Sequence, residues 1–178
     1  MKKVGKCGGK WGKNTYLCNR FLLIDVRMRF LGNIEAKTDA KGRAFLPAIF
    51  RKVLQASGEE NLVLRKDVFQ KCLVLYPESV WNARLDMLKN QLRPWKQTHQ
   101  QMFRQFVSEA EVVNLDGNGR FLISKRLQKV AEIEQDIQFI GMDDTIEIWA
   151  PKNLRQTLQS EEDFGREFEQ IMNTDSDL

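Results

Sequence analysis

Histidine occurs once in the 178 residues, at His99, and cysteine three times, at Cys7, Cys18 and Cys72, with no two at C-x-x-C spacing. Zinc fingers and disulfide frameworks both require clustered ligands or paired thiols, so neither organises this chain. Thiols this sparse suit a reducing compartment. Long hydrophobic runs are missing too: the longest candidate, FLLIDV at 21–26, contains Asp25 and falls far short of the ~20 residues of a membrane span. No small-residue cleavage site follows it, so no export signal is expected. Compositional bias is absent, because 42% apolar and 29% charged residues sit near the globular averages of about 45–50% and 25%. No phosphate-cradling glycine loop, nucleophile motif or converging acid and base occurs. The expectation is a protein that is not an enzyme and takes no cofactor, metal or small-molecule ligand.

What the chain does have is an uneven distribution of charge. The formal total is +4, but residues 1–27 carry seven Lys or Arg against Asp25 alone, and residues 159–178 carry seven acids against Arg166 alone. The stretch between them is mildly basic. Residues 1–27 are rich in Lys and Gly and lack helical or alternating periodicity, which is the pattern of a basic tail or of an extension before a working start at Met28.

The rest of the chain repeats itself once. D-A-K-G-R at Asp39 to Arg43 returns as D-G-N-G-R at Asp116 to Arg120, 77 residues later. At the same offset Phe45 matches Leu122, Leu46 matches Ile123, Phe50 matches Leu127 and Val53 matches Val130. After a small deletion, CLVLYP at 72–77 matches TIEIWAP at 145–151. Each copy reads as two strands around a D-x-x-G-R turn, a short helix, and two more strands. Ile34, Ala36 and Thr38 alternate with polar neighbours, as do Val113 and Leu115, the period of half-buried strands. Gly42 and Gly119 stand where the turn needs a positive φ, and Asp39 and Asp116 can accept backbone N–H bonds across it. The helices are predicted over 47–56, with Pro47 in the first turn and Gly58 as the stop, and over 125–132, with Ser124 as N-cap.

Residues 77–107 read as helical, with Val80, Trp81, Leu85, Leu88 and Leu92 on one face, a break at Arg93-Pro94, and Trp95, Met102, Phe103 and Phe106 continuing an apolar stripe. A further helix opens at Pro151, and Phe164, Phe168 and Ile171 keep helical spacing in the acidic tail. Trp81, Trp95 and Trp149 are expected in core or subunit contacts, Cys72 in strand packing, His99 on the surface, and Asp143-Asp144 in a hairpin turn rather than a metal cluster.

Together these segments resemble the MraZ family of bacterial transcriptional regulators: D-A-K-G-R followed by F-L-P, CLVLYP, a helical spacer, LDGNGRFLIS, and FIGMDDTIEIW. The likeness runs from about Met28 to Leu158. It implies an α+β fold, mainly β: two tandem swapped-hairpin modules similar to AbrB regulators, joined as one pseudo-symmetric β-barrel-like unit with flanking helices. The implied divisions are a basic extension at 1–27, a first module at 28–80, a helical spacer at 81–107, a second module at 108–158 and an acidic tail at 159–178. The resemblance also implies a cytoplasmic, nucleoid-associated ring-like homo-oligomer. It would bind repeated sites on double-stranded DNA upstream of its own gene, at the head of the division and cell-wall cluster, and repress it.

Chemistry suits the D-x-x-x-R turns to that role. Glycine allows close approach of backbone to a duplex, and Arg offers a fork of donors for phosphate or for the O6 and N7 edge of guanine. Arg43 is the expected reader, Asp39 holds the loop and orients it, and Lys37, Lys41 and Gly42 complete the first site. The second copy, Asp116, Gly119 and Arg120, has Asn118 where the first has Lys41, so the first copy is expected to face DNA and the second to be more structural. Two other readings stay open: Asp-x-x-Gly-Arg is also a competent hairpin turn whose Arg bonds a carboxylate, and the oligomer can be a scaffold for a protein partner. With a core of modest positive charge, one chain offers few phosphate contacts, so binding demands several turns acting together.

Overall fold

The alternating and continuous apolar runs resolve into strands that carry the repeat through the whole molecule. The computed structural model describes residues 29–174; the basic extension, Met28, Cys7, Cys18 and the last four residues lie outside them. In chain order the first copy supplies β1 (Phe30–Lys37), β2 (Arg43–Phe45), α1 (Ala48–Ser57), β3 (Asn61–Lys66) and β4 (Cys72–Pro77). A helical pair follows, α2 (Glu78–Gln91) and α3 (Gln97–Ser108). The second copy supplies β5 (Ala110–Asn114), β6 (Arg120–Leu122), α4 (Lys125–Val130), β7 (Asp136–Asp143) and β8 (Thr145–Trp149), and α5 (Pro151–Thr157) and α6 (Glu161–Thr174) close the chain.

The strands form an antiparallel six-stranded sheet in the order β1-β7-β8-β4-β3-β5 and a two-stranded ribbon of β2 with β6. Exchanging the two copies reverses the six-strand order onto itself. Register carries the same relation: Val74 faces Glu147 at the middle of the β4–β8 ladder, and Ala44 faces Phe121 at the middle of the ribbon. A local twofold axis therefore passes between these pairs. The first strand of each copy pairs with the third strand of the other, β1 with β7 and β5 with β3, so neither copy can complete its sheet alone.

The barrel-like closure expected from the family resemblance is not found. Among the described residues β1 pairs by a full ladder with β7 alone and β5 with β3 alone, leaving two sheet edges, and the ribbon meets β1 through the single bridge of Thr38 to Ala44. A three-residue ribbon is too short to ladder across both edges; it caps the core instead.

That core lies between one face of the sheet and the layer of α1, α4 and ribbon. Phe30, Phe50, Phe121 and Phe139 are all at most 2% exposed there, with Phe30 edge-on to Phe50 at 5.7 Å and Phe121 to Phe139 at 6.4 Å. The opposite face is covered too. Val63, Val74 and Tyr76 pack against Trp81 of α2, Trp81 stacks on Phe106 of α3 at 5.5 Å, and the Arg65 guanidinium lies 4.1 Å over the Phe106 ring. Cys72, Trp149 and Leu154 form a third cluster under α5, where burial pushes the Cys72 thiol pKa up and keeps it protonated. Burial on both faces explains why CLVLYP is continuously apolar rather than alternating.

Local stops and starts follow the sequence closely. Gly58 takes the left-handed conformation at φ 71° after α1, and the Ser124 hydroxyl accepts the Leu127 N–H at the start of α4 while donating to Glu111 at 2.9 Å. Pro47 stands one residue earlier than expected, at the N-cap, where its missing N–H costs nothing. Ser124→Ala is expected to lower stability by about 1 kcal/mol, the ordinary worth of such a cap, measured as a shifted urea midpoint with unchanged slope. In the helical pair Trp95 is 95% exposed and Met102 47%, so neither belongs to the core of this chain. Trp81, with Val80, Leu85 and Phe106 around it, packs on the sheet, whereas Leu88, Leu92 and Phe103 are only half-buried and the Arg93-Pro94 break is exposed.

Candidate nucleic-acid interface

The two D-x-x-x-R turns are built alike. Asp39 Oδ1 accepts the backbone N–H groups of Lys41 and Arg43 at 2.9 Å each, and Asp39 Oδ2 accepts Arg43 Nε at 2.7 Å. In the second turn Asp116 Oδ1 accepts from Asn118 and Arg120 at 2.9 Å, and Asp116 Oδ2 accepts Arg120 Nε at 2.8 Å. Backbone bonds from Gly42 to Asp39 and from Gly119 to Asp116 close each turn, with φ at 82° and 79°. A side chain at either glycine would be strained by φ and would also collide: at Gly42 with Gln128 and the Ile123 carbonyl, at Gly119 with Arg51.

The carboxylates are thus consumed by the turns they close. The Arg43 N–H lowers the Asp39 pKa most, desolvation opposes it as the second-largest effect, and the Arg43 guanidinium and Lys41 N–H add to the net lowering; Arg120 and Asn118 act likewise on Asp116. Because the folded pKa lies below the unfolded value of ~3.9, the stabilisation is complete at neutral pH and is lost only as pH falls through the lowered value. Both turns should therefore stay intact from pH 7 to about 5. Carboxyl carbon shifts in an NMR titration should place both midpoints below that of an ordinary aspartate, and Arg43→Ala should raise the Asp39 midpoint while leaving Asp116 unchanged.

The ribbon brings the two turns together, which no reading of one copy could show. Ala44 and Phe121 point into the core, so Arg43 and Phe45 on β2 and Arg120 and Leu122 on β6 share the outward face. The signal was present in the sequence as the alternation R-A-F against R-F-L at the 77-residue offset. The arginines differ in how much of their fork is committed. Both arginines donate to their Asp through Nε, but Arg120 Nη2 also lies 2.8 Å from Asp116 Oδ2 and its guanidinium 5.5 Å over the Phe45 ring, and its side chain is 24% exposed against 35% for Arg43. Arg43 is therefore the more open of the two to a ligand.

The remaining expected residues are placed less centrally. Lys41 is exposed at the first turn, but Lys37 is engaged with Asp136 at 3.1 Å, across the β1–β7 ladder. His99 accepts the Arg93 N–H through Nδ1 at 3.0 Å and so caps the helical break. Asp143 and Asp144 form the β7–β8 hairpin, engaged with Arg29 and Arg84. No group of His, Cys, Asp and Glu able to hold a metal is found among the described residues, and none of their helices is long and apolar enough to cross a membrane.

A family model described as "MraZ protein, putative antitoxin-like" matches residues 106–174. A Phocaeicola vulgatus protein named Transcriptional regulator MraZ is 60% identical over 151 residues, 85% of this chain and 98% of its own length. The chain belongs to the MraZ family. MraZ relatives of the same name from Bacteroides thetaiotaomicron and Bacteroides fragilis are 56% and 54% identical, over 84% and 82% of this chain and 96% and 92% of their own. All three relatives carry the name of a transcriptional regulator.

Proposed function

We propose that this protein is a sequence-specific DNA-binding regulator that grips duplex DNA with the outward face of the β2–β6 ribbon, Arg43 reading base edges and Lys41 and the second turn seating the backbone, while the buried Gly42 shapes the first turn. The observation that carries the reading is the Arg43 guanidinium, fixed through Nε by a carboxylate already spent on its own turn, its terminal nitrogens bonded to nothing else among the described residues. A two-stranded ribbon is a shape the major groove admits, and Arg is the commonest reader of guanine there. The pairing of β1 with β7 and of β5 with β3 supports reading the copies as swapped-hairpin, AbrB-like modules whose two turns act as one unit.

The protein acts as a homo-oligomer, ring-like in form, on repeated sites upstream of its own gene cluster, and represses it. Support for association comes from α6, whose Phe164, Phe168, Ile171 and Met172 are each more than half exposed along a helix bearing Glu161, Glu162, Asp163, Glu167 and Glu169. Gel-shift assays on duplexes carrying one, two or more copies of the upstream repeat test the reading. Affinity should rise steeply with repeat number as additional turns bind at high effective concentration; equal affinity on all of them, or on scrambled DNA, would overturn it.

A further inference from the structure

The two turns have different neighbours, and the difference is charged. Arg51 of α1 and Gln128 of α4 are equivalent positions of the repeat, 77 residues apart, and each reaches across the twofold to the other copy's turn. Gln128 lies against Gly42 and donates to the Ile123 carbonyl at 2.7 Å; Arg51 lies against Gly119, its Nη1 2.5 Å and its Cδ 2.7 Å from where a side chain there would begin. Gln128 is satisfied by its bond. Arg51 is not: its Nε is buried without a hydrogen-bond partner, and no carboxylate pairs with it among the described residues. Most buried guanidinium nitrogens find partners; this Nε is sealed from solvent, as is that of Arg65, so an acceptor added beside the turn would meet the terminal nitrogens of Arg51, which bond nothing among the described residues.

The local charge balance indicates what that acceptor is. The first turn carries Lys41 and the more exposed Arg43. In the second, Asn118 replaces the lysine and Arg120 spends both Nε and Nη2 on Asp116. We infer that Arg51, contributed by the first copy, completes the second turn as an anion seat for a backbone phosphate of duplex DNA. Asp116 does not oppose this, since both its oxygens face the turn's own donors. The seat gives the second turn a phosphate-anchoring task while the first reads bases. It rests on the DNA-binding reading above.

The test is a salt titration of duplex binding by the full chain with Arg51→Gln, which makes the position identical to its twin, and with Arg51→Gln combined with Asn118→Lys. Arg51→Gln should weaken native and scrambled duplexes alike, by roughly tenfold, and reduce the salt slope by about 0.9 for each second turn engaged. Asn118→Lys should restore both, since it returns a cation to that turn. Unchanged affinity and slope would overturn the inference. So would a loss that Asn118→Lys does not rescue and that comes with a lowered thermal midpoint, which would make Arg51 a packing residue of the α1–turn contact. Wild-type protein that binds no duplex at all would remove the underlying reading as well, whereas binding unaffected by Arg51→Gln removes this inference alone.

Discussion

Arg43→Ala is expected to abolish the preference for the native duplex while leaving the thermal midpoint within about 2 °C of wild type. The reason the fold tolerates it is local. The ion pair with Asp39 is about a third exposed on both sides, where such pairs contribute about 0–1 kcal/mol, and Asp39 keeps its backbone N–H bonds from Lys41 and from the residue at 43. The reason binding does not tolerate it is that a forked contact to guanine supplies about 1–3 kcal/mol of discrimination, lost in every subunit that faces DNA. Arg43→Lys separates charge from geometry: it should preserve most of the salt slope yet lose the preference, because a point charge lacks the planar fork. Arg120→Ala should cost less specificity, since Nε and Nη2 of that side chain already serve Asp116. Competition between labelled native and unlabelled scrambled duplexes, read by fluorescence anisotropy, checks all three.

The second large effect is on stability. A side chain at Gly141 would run into the backbone of β1, within 2.5 Å of the Leu31 nitrogen and the Phe30 oxygen. These atoms belong to the ladder that pins the first copy's leading strand to the second copy, where Gly141 faces Gly32 in register. They cannot yield as a flexible side chain can. Gly141→Ala should therefore lower stability by about 3 kcal/mol, the upper range for forced overpacking, and the midpoint by about 10 °C. Phe30, fully buried at the start of β1, would loosen with the strand. Gly117→Ala is the control: nothing lies within 4 Å of a side chain there, so its midpoint should move by no more than a degree or two. Thermal unfolding followed by circular dichroism distinguishes the pair; equal shifts would show that β1 is not held in this way.

The 77-residue repeat made each copy's element order legible, together with the turn glycines, the Ser124 cap and the Gly58 stop, because all depend on residues close in sequence. Pairing between copies was not legible. Nothing in FLGNIEAK records that its partner is β7 rather than its own copy's β3, since both partners present the same apolar face. The barrel-like closure came from the family resemblance rather than from the residues, and a three-residue ribbon offers too few hydrogen bonds to join the two sheet edges. Trp95 and Phe106 belong to one apolar stripe, yet only Phe106 lies over the sheet, a fact set by where the helical break falls. At the site, Asp39 and Arg43 were readable as a unit because the carboxylate and the arginine are four residues apart. Arg51 lies closer in sequence to the first turn, yet the twofold places it against Gly119 of the second.

Recognition of a particular duplex by the outward face of the ribbon predicts two separate affinity lines. A salt titration of wild-type affinity for the upstream duplex and for a scrambled one of equal length tests it most directly. The two log–log plots should be nearly parallel, because both duplexes release counterions from the same phosphate contacts, with the native line displaced to higher affinity at every salt concentration by the base contacts of Arg43. Coincident lines, or the absence of binding to either duplex, would contradict the account and leave the D-x-x-x-R turns as structural elements.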